Sequence, residues 1–217
     1  MPMSNPGHVP AVLHYLTGLA PASLLDVGIG MGTYGFLARQ YLDVAAGRLD
    51  RAGWRTRIDG IEVFEPYRNP VWDHCYDSVA IADIRDRVAA LRRYDVVLCN
   101  DVLEHVPQAE ARALVRALLG RCRALIATTP AAAFPQGAWG GNEAETHHCL
   151  LSAADFPAST RVHRAGVTSL YVSWSDAATG AEIARLADGV PRVAYPGPGL
   201  GARLRGRLGR LAGLARA

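Results

Sequence analysis

Lysine is absent from this 217-residue chain, and all 23 basic residues are arginine. Together with the many alanines and glycines, this looks like the codon bias of a GC-rich genome, so no single arginine is read as selected for function. Cysteine is sparse. Cys75, Cys99, Cys122 and Cys149 stand far apart and form no C-x-x-C pair, which excludes a zinc ribbon or a disulfide framework as a reading of their spacing. Reduced, mostly packed thiols are expected instead. No run approaches the roughly 20 apolar residues needed to span a bilayer, so stable membrane insertion is not expected. Residues Met1 to Pro21 lack the basic head of a secretory signal, and Pro10 and His14 interrupt their apolar positions. A cytoplasmic location is the expectation. The net charge of +3 is too small for nucleic-acid binding across the whole surface, and no nucleic-acid partner is expected.

What is present is ordinary for a globular protein: 50% hydrophobic and 20% charged residues, enough for one well-buried domain. Short apolar runs alternate with helical patterns, the signature of an α/β domain with a mostly parallel sheet. Val9 to Leu19 reads as a leading helix. Strands are expected at Ser23 to Val27, Arg57 to Val63, Ser78 to Ile81, Tyr94 to Cys99 and Ala124 to Thr129. The fourth is apolar nearly throughout, as a central strand buried on both faces should be. Thr33 is expected to cap a long helix reaching Leu49, and Gln108 to Leu119 to form another, with Ala111, Leu114, Val115 and Leu118 on one face. After Pro130 comes an irregular stretch, Ala131 to Leu151; loops of that length are usually functional or disordered. Arg161 to Ala165 and Thr168 to Trp174 then read as an antiparallel hairpin at one edge of the sheet.

Chemistry concentrates at the ends of these strands. Asp26-Val27-Gly28-Ile29-Gly30-Met31-Gly32 follows the first strand directly. Its alternating glycines let the backbone turn sharply and approach a ligand closely. The dinucleotide fingerprint would place a third glycine where Thr33 stands. This turn therefore suits a nucleoside whose charged end is an amino acid rather than a pyrophosphate. Glu62, ending the second strand, could accept bonds from two ribose hydroxyls, and Asp83 from an adenine amino group while Ile84 packs on the ring. Asn100 and Asp101 open Asn100-Asp101-Val102-Leu103-Glu104-His105-Val106 after the fourth strand. All four places lie at carboxyl ends of parallel strands, where open α/β sheets bind ligands.

In order and spacing, this set resembles the class I S-adenosylmethionine-dependent methyltransferases over about the first 130 residues. Asp26 to Gly32 matches their first motif, Glu62 their ribose acid, Asp83 their adenine contact, and Asp101 to Val106 their fourth-strand motif. Ile84 after Asp83 departs from the pattern at a variable position. The resemblance implies a Rossmann-like seven-stranded, mostly parallel sheet with helices on both faces and an antiparallel C-terminal hairpin. It also implies S-adenosylmethionine as cofactor, held by Asp26, Gly28, Gly30, Gly32, Glu62, Asp83, Ile84, Asn100 and Asp101. The leading helix, with His14 and Tyr15, would then form a lid over the cofactor.

The acceptor side is read from the loop. His147 and His148 titrate near neutrality and are candidate bases, with Asp101 beside the donor's methionine part or the acceptor. Trp139, with Phe134 and Pro135, could wall an organic acceptor, and Asn142 and Glu145 could bind its polar groups. Asp101, Glu145, His147 and His148 are also the candidates for a metal. Magnesium prefers oxygen ligands, whereas so histidine-rich a set would suit zinc or iron; no metal is expected. A methyltransferase domain is expected over 1–190, followed by a Pro/Gly linker and basic amphipathic tail over 191–217. That tail holds six arginines and no acidic residue. Its candidate partners are its own domain, an anionic membrane surface and a second copy in a homodimer. Its glycines weaken an isolated helix by about 1 kcal/mol each. The function expected is methyl transfer to an oxygen or nitrogen of a small organic acceptor, such as one of specialised metabolism. The alternatives are a non-catalytic S-adenosylmethionine-binding module and an RNA methyltransferase.

Overall fold

The structure, a computed structural model, describes residues 5–191; nearly all of the basic tail lies outside them. Seven strands form one sheet in the order β3-β2-β1-β4-β5-β7-β6. They are β1 (Ser23–Val27), β2 (Arg57–Glu62), β3 (Ser78–Ile81), β4 (Tyr94–Asn100), β5 (Cys122–Pro130), β6 (Thr160–Ala165) and β7 (Thr168–Trp174). The first five pair in parallel, and the order reverses between β1 and β4, opening a crevice at their carboxyl ends. β7 runs antiparallel between β5 and β6. The hairpin turns at Gly166, whose φ of 63° lies in the left-handed region that glycine enters without a Cβ clash.

Side-chain alternation divides the core in two. Leu24, Ile58, Val96, Leu98, Ile126 and Val172 point to one face, under α1 (Val9–Leu19), α2 (Thr33–Ala38), α3 (Pro70–Cys75) and α6 (Ala177–Ala187). Leu25, Val27, Val97, Cys99, Leu125 and Tyr171 point to the other, under α4 (Ile84–Arg87) and α5 (Gln108–Leu119). Helices therefore cover both faces, as buried parallel strands require. The four cysteines are free, three of them buried and Cys149 half-buried. No helix among the described residues is long and apolar enough to cross a membrane.

Three local expectations are corrected. The helix after the glycine turn is α-helical only to Ala38, then widens over Arg39–Asp43 and tightens over Val44–Ala46. Gly32, with φ of 87°, occupies its cap, and no side chain caps it; Thr33 is already the first helical residue. His14 and Tyr15 form no lid. Tyr15 is fully buried with its hydroxyl 2.6 Å from His163 Nε2, and His14 Nε2 lies 2.8 Å from the Leu186 carbonyl oxygen. Both pin α1 to its neighbours because the apolar stripe of that helix needs the sheet face more than a ligand. The helix α6 escaped the periodicity. Its start is signalled by Asp176, which accepts from the amide of Thr179 at 2.8 Å.

Candidate active site

A cavity of about 410 Å³ opens at the carboxyl ends of β1 to β4, within the range of small-ligand pockets. The glycine turn forms its floor. Gly28, Gly30 and Gly32 all have positive φ, at 72°, 52° and 87°. A Cβ on Gly28 would also come within 2.4 Å of Val102 Cγ2, so that position needs glycine twice over. Beneath the turn, Asp26 is buried and accepts from Tyr76 Oη at 2.5 Å, and the same hydroxyl accepts from the amide of Gly35 at 3.1 Å. Asp26 thus supports the turn from below and does not line the cavity. Burial pushes its pKa up to about 7, with the Tyr76 bond opposing and Glu62 adding to the rise.

Glu62 lines the wall and ties it to the floor. Its Oε2 accepts from the Gly30 amide at 2.9 Å, and its Oε1 from the amides of Val63 and Phe64 at 2.9 and 3.0 Å. A carboxylate offers about four acceptor positions, so these bonds hold the group in place and leave little spare capacity. Burial raises its pKa, and the three amides oppose that. Asp83 caps α4 through the Arg85 amide at 2.8 Å and pairs with the Arg85 guanidinium, whose Nη2 lies 2.6 Å from Oδ2. That pairing holds the Asp83 carboxyl below its ordinary range. Ile84 is buried on the same wall. Asn100 completes this side: it is 5% exposed, and neither its Oδ1 nor its Nδ2 has a partner among the described residues. Buried amides are rarely left so, and this one borders the cavity.

A second cavity, of about 400 Å³, lies beyond the end of β4. Asn5 and Pro6 bound it on one side, Pro130, Ala132, Ala133, Phe134, Gln136 and His147 on another, and Thr168 on a third, while Pro135 does not line it. The two cavities share Asp101 and His105. Asp101 has a φ of 54°, an uncommon conformation for a side-chain-bearing residue that Asp and Asn tolerate best. Its Oδ1 accepts from Thr128 Oγ1 at 3.0 Å, and its Oδ2 from the Asn5 amide at 3.4 Å, with His8 Nε2 3.5 Å away. His8 is fully buried there.

The loop after β5 serves both cavities. Asn142, Glu145 and His148 line the first one, on the glycine-turn side, whereas Phe134, Gln136 and His147 line the second. Trp139 lines neither; it is half-exposed and its backbone pairs with Asn142 across a tight turn. Tyr67 Oη donates to Glu145 Oε1 at 3.0 Å, and Gln136 Nε2 to the Glu145 carbonyl at 2.8 Å, fixing the roof. Tyr67, Arg85, Gln136 and the Asn5–Pro6 segment were missed from sequence. Arg85, two residues after Asp83, could have been found as its ion-pair partner; the others carry no local signal.

No protein-family model matches this sequence, and no curated protein matches it. Solved structures do. Magnesium protoporphyrin IX methyltransferase from Synechocystis PCC 6803, with S-adenosylhomocysteine bound, aligns with a TM-score of 0.54 at 18% identity, covering 78% of this chain and 84% of that one. The N-terminal domain of EvdMO1, also with S-adenosylhomocysteine bound, aligns with a TM-score of 0.54 at 18% identity, covering 80% and 83%. An O-methyltransferase family protein from Burkholderia thailandensis aligns with a TM-score of 0.54 at 13% identity over 76% of this chain, which spans only 55% of that protein's length. Shared sheet order and hairpin, at such low identity, speak to architecture. The chain has the Rossmann-like fold of the class I S-adenosylmethionine-dependent methyltransferases.

Proposed function

We propose that this protein transfers a methyl group from S-adenosylmethionine to an oxygen of a small organic acceptor. The observation that carries the reading is the pair of cavities meeting at Asp101 and His105. The first suits the donor. Gly28 and Gly30 line it without a side chain in the way and the orphaned Asn100 amide borders it, with Glu62 assigned to the ribose and Asp83 and Ile84 to the adenine. The second sets an apolar wall of Pro130, Ala132, Ala133 and Phe134 against polar groups from Asp101, His105, Gln136 and His147, an arrangement suited to orienting an organic acceptor. Asn142 and Glu145 belong to the donor's roof on this reading, and His148 with them. Oxygen is favoured over nitrogen because a carboxylate stands where the two cavities join, and because one of the structures of like fold is an O-methyltransferase family protein.

The reaction is an in-line displacement. The acceptor oxygen forms a bond to the methyl carbon while the carbon–sulfur bond breaks, and its electrons return to sulfur as a neutral thioether. Much of the acceleration comes from alignment of the two partners. A hydroxyl must also lose its proton, and Asp101 is the proton acceptor we assign, with Thr128 and the Asn5 amide fixing its direction. General bases of this kind contribute about 10²–10⁴-fold.

Calorimetric titration of the full chain with S-adenosylmethionine and S-adenosylhomocysteine tests the donor half. Saturable binding is expected for both, weakened about tenfold or more in Glu62→Ala, since that change removes a ribose acceptor and unties the Gly30 amide. Absence of binding to either compound would overturn the reading.

A further inference from the structure

On the wall of the second cavity, one ligating atom each from Glu104, His105 and His147 lies within 4.8 Å of the others. Glu104 and His105 come from the short helical turn after β4, and His147 from the loop that folds back over it. Backbone bonds hold the two segments together. The amides of His148 and Cys149 donate to the Glu104 carbonyl at 2.8 and 3.3 Å, and the amide of His147 to the Gln136 carbonyl at 2.9 Å.

The imidazoles are oriented as ligands. Nδ1 of His105 lies 3.3 Å from the Thr146 carbonyl oxygen, and Nδ1 of His147 lies 2.6 Å from that of Phe134. A carbonyl only accepts, so in each ring Nδ1 carries the hydrogen and Nε2 keeps its lone pair. Metal-bound histidines receive this same support from their outer partners. The rings meet edge to face with centroids 4.8 Å apart. Glu104 supplies a second, independent observation. It is 2% exposed, and its Oε2 has no partner among the described residues. A buried carboxyl oxygen left without a partner is costly, and a cation would offset that cost.

We propose that Glu104, His105 and His147 bind one divalent first-row transition ion of the manganese, iron, cobalt or zinc class. Two imidazoles and one carboxylate suit these ions better than magnesium, which favours oxygen ligands. The set differs from the one considered in the sequence. Asp101 is held elsewhere by Thr128 and Asn5, while Glu145 and His148 face the donor cavity. Three protein ligands leave positions open toward the second cavity. This extends the methyl-transfer reading and rests on it for its consequence: the acceptor carries an oxygen able to take an open position.

Cobalt(II) added to the untagged, chelator-treated full chain tests the site. Visible absorption should saturate at one equivalent, with affinity falling about tenfold or more in His147→Ala and Glu104→Gln. S-adenosylhomocysteine binding, measured in parallel, should persist in both, since neither side chain lines the donor cavity. If Glu104→Gln fails to fold, His147→Ala decides, because that side chain sits on a loop and fills no core. No cobalt binding, or binding equal in all the proteins, overturns the metal site. Cobalt binding without S-adenosylhomocysteine binding keeps the site and removes the methyl-transfer reading.

Discussion

Asp26 shows how one buried carboxylate sets a pH response. Burial lifts its pKa to about 7 from an ordinary value of 3.8, so the folded protein holds a proton there that the unfolded chain has released between about pH 4 and 7. A raised folded-state pKa gives stability that is complete below the unfolded value and lost as pH rises through the folded one. Stability is therefore expected to fall from pH 5 to pH 7, and Asp26→Asn, which cannot ionise, should flatten that fall by roughly 2 kcal/mol. Urea unfolding of both proteins at the two pH values measures it; parallel curves would show that Asp26 is already ionised at pH 5. The identity of this acid was legible in sequence because it stands beside the glycines it supports. Its role was not. A residue assigned to cofactor contact proves to lie beneath the turn, since its partner Tyr76 arrives from just past the end of α3, 50 residues away.

At the scale of elements, the segment after the glycine turn depends on Arg39. The guanidinium is buried where the α-helix widens, 2.6 Å from Asp43 Oδ2, 2.7 Å from the Thr56 carbonyl and 2.9 Å from that of Cys75, over the Trp54 ring at 4.0 Å. One side chain therefore ties α2 to the entry of β2 and the end of α3. Breaking a buried ion pair by removing one member costs about 3–5 kcal/mol. The lower end is expected for Arg39→Ala, because Arg48 Nε and the Arg55 amide still satisfy Asp43 Oδ1. A urea midpoint shift worth under about 1 kcal/mol would show that the network is dispensable. The strands were readable to within a residue or two, most clearly β4, where burial on both faces leaves a nearly unbroken apolar run. The widened turn was not readable, for the arginine buried there finds its partners at two carbonyls distant in sequence, at Asp77, and at Asp43, a carboxylate that four separate groups share. In a chain whose only long cations are arginines, nothing local marks this one.

Across the whole molecule, the two cavities differ in how the chain builds them, and this governs what each could reveal in advance. The donor side gathers strand ends, each a motif next to its own strand. The second cavity gathers Asn5, the segment after β5, His147 and Thr168, which only the completed fold brings together. Its residues have no common period or spacing. The loop after β5 borders both, as the turn after β4 does through Asp101 and His105, with Asn142, Glu145 and His148 on one side and Phe134, Gln136 and His147 on the other. Bonds from Tyr67 and Gln136 to Glu145 couple the two sides. A donor that occupies the first cavity must therefore steady the wall of the second. S-adenosylhomocysteine at 100 times its Kd should stabilise the folded protein by about 2.7 kcal/mol through mass action alone. Amide hydrogen exchange should then slow in residues 27–30, which line the cavity assigned to the donor. It should also slow in residues 134–148, including the His147 amide that bonds Gln136 across the acceptor wall. Protection confined to the glycine turn would mean that the loop serves the two cavities separately. Protection reaching His147 would mean that donor binding prepares the acceptor site before the acceptor arrives.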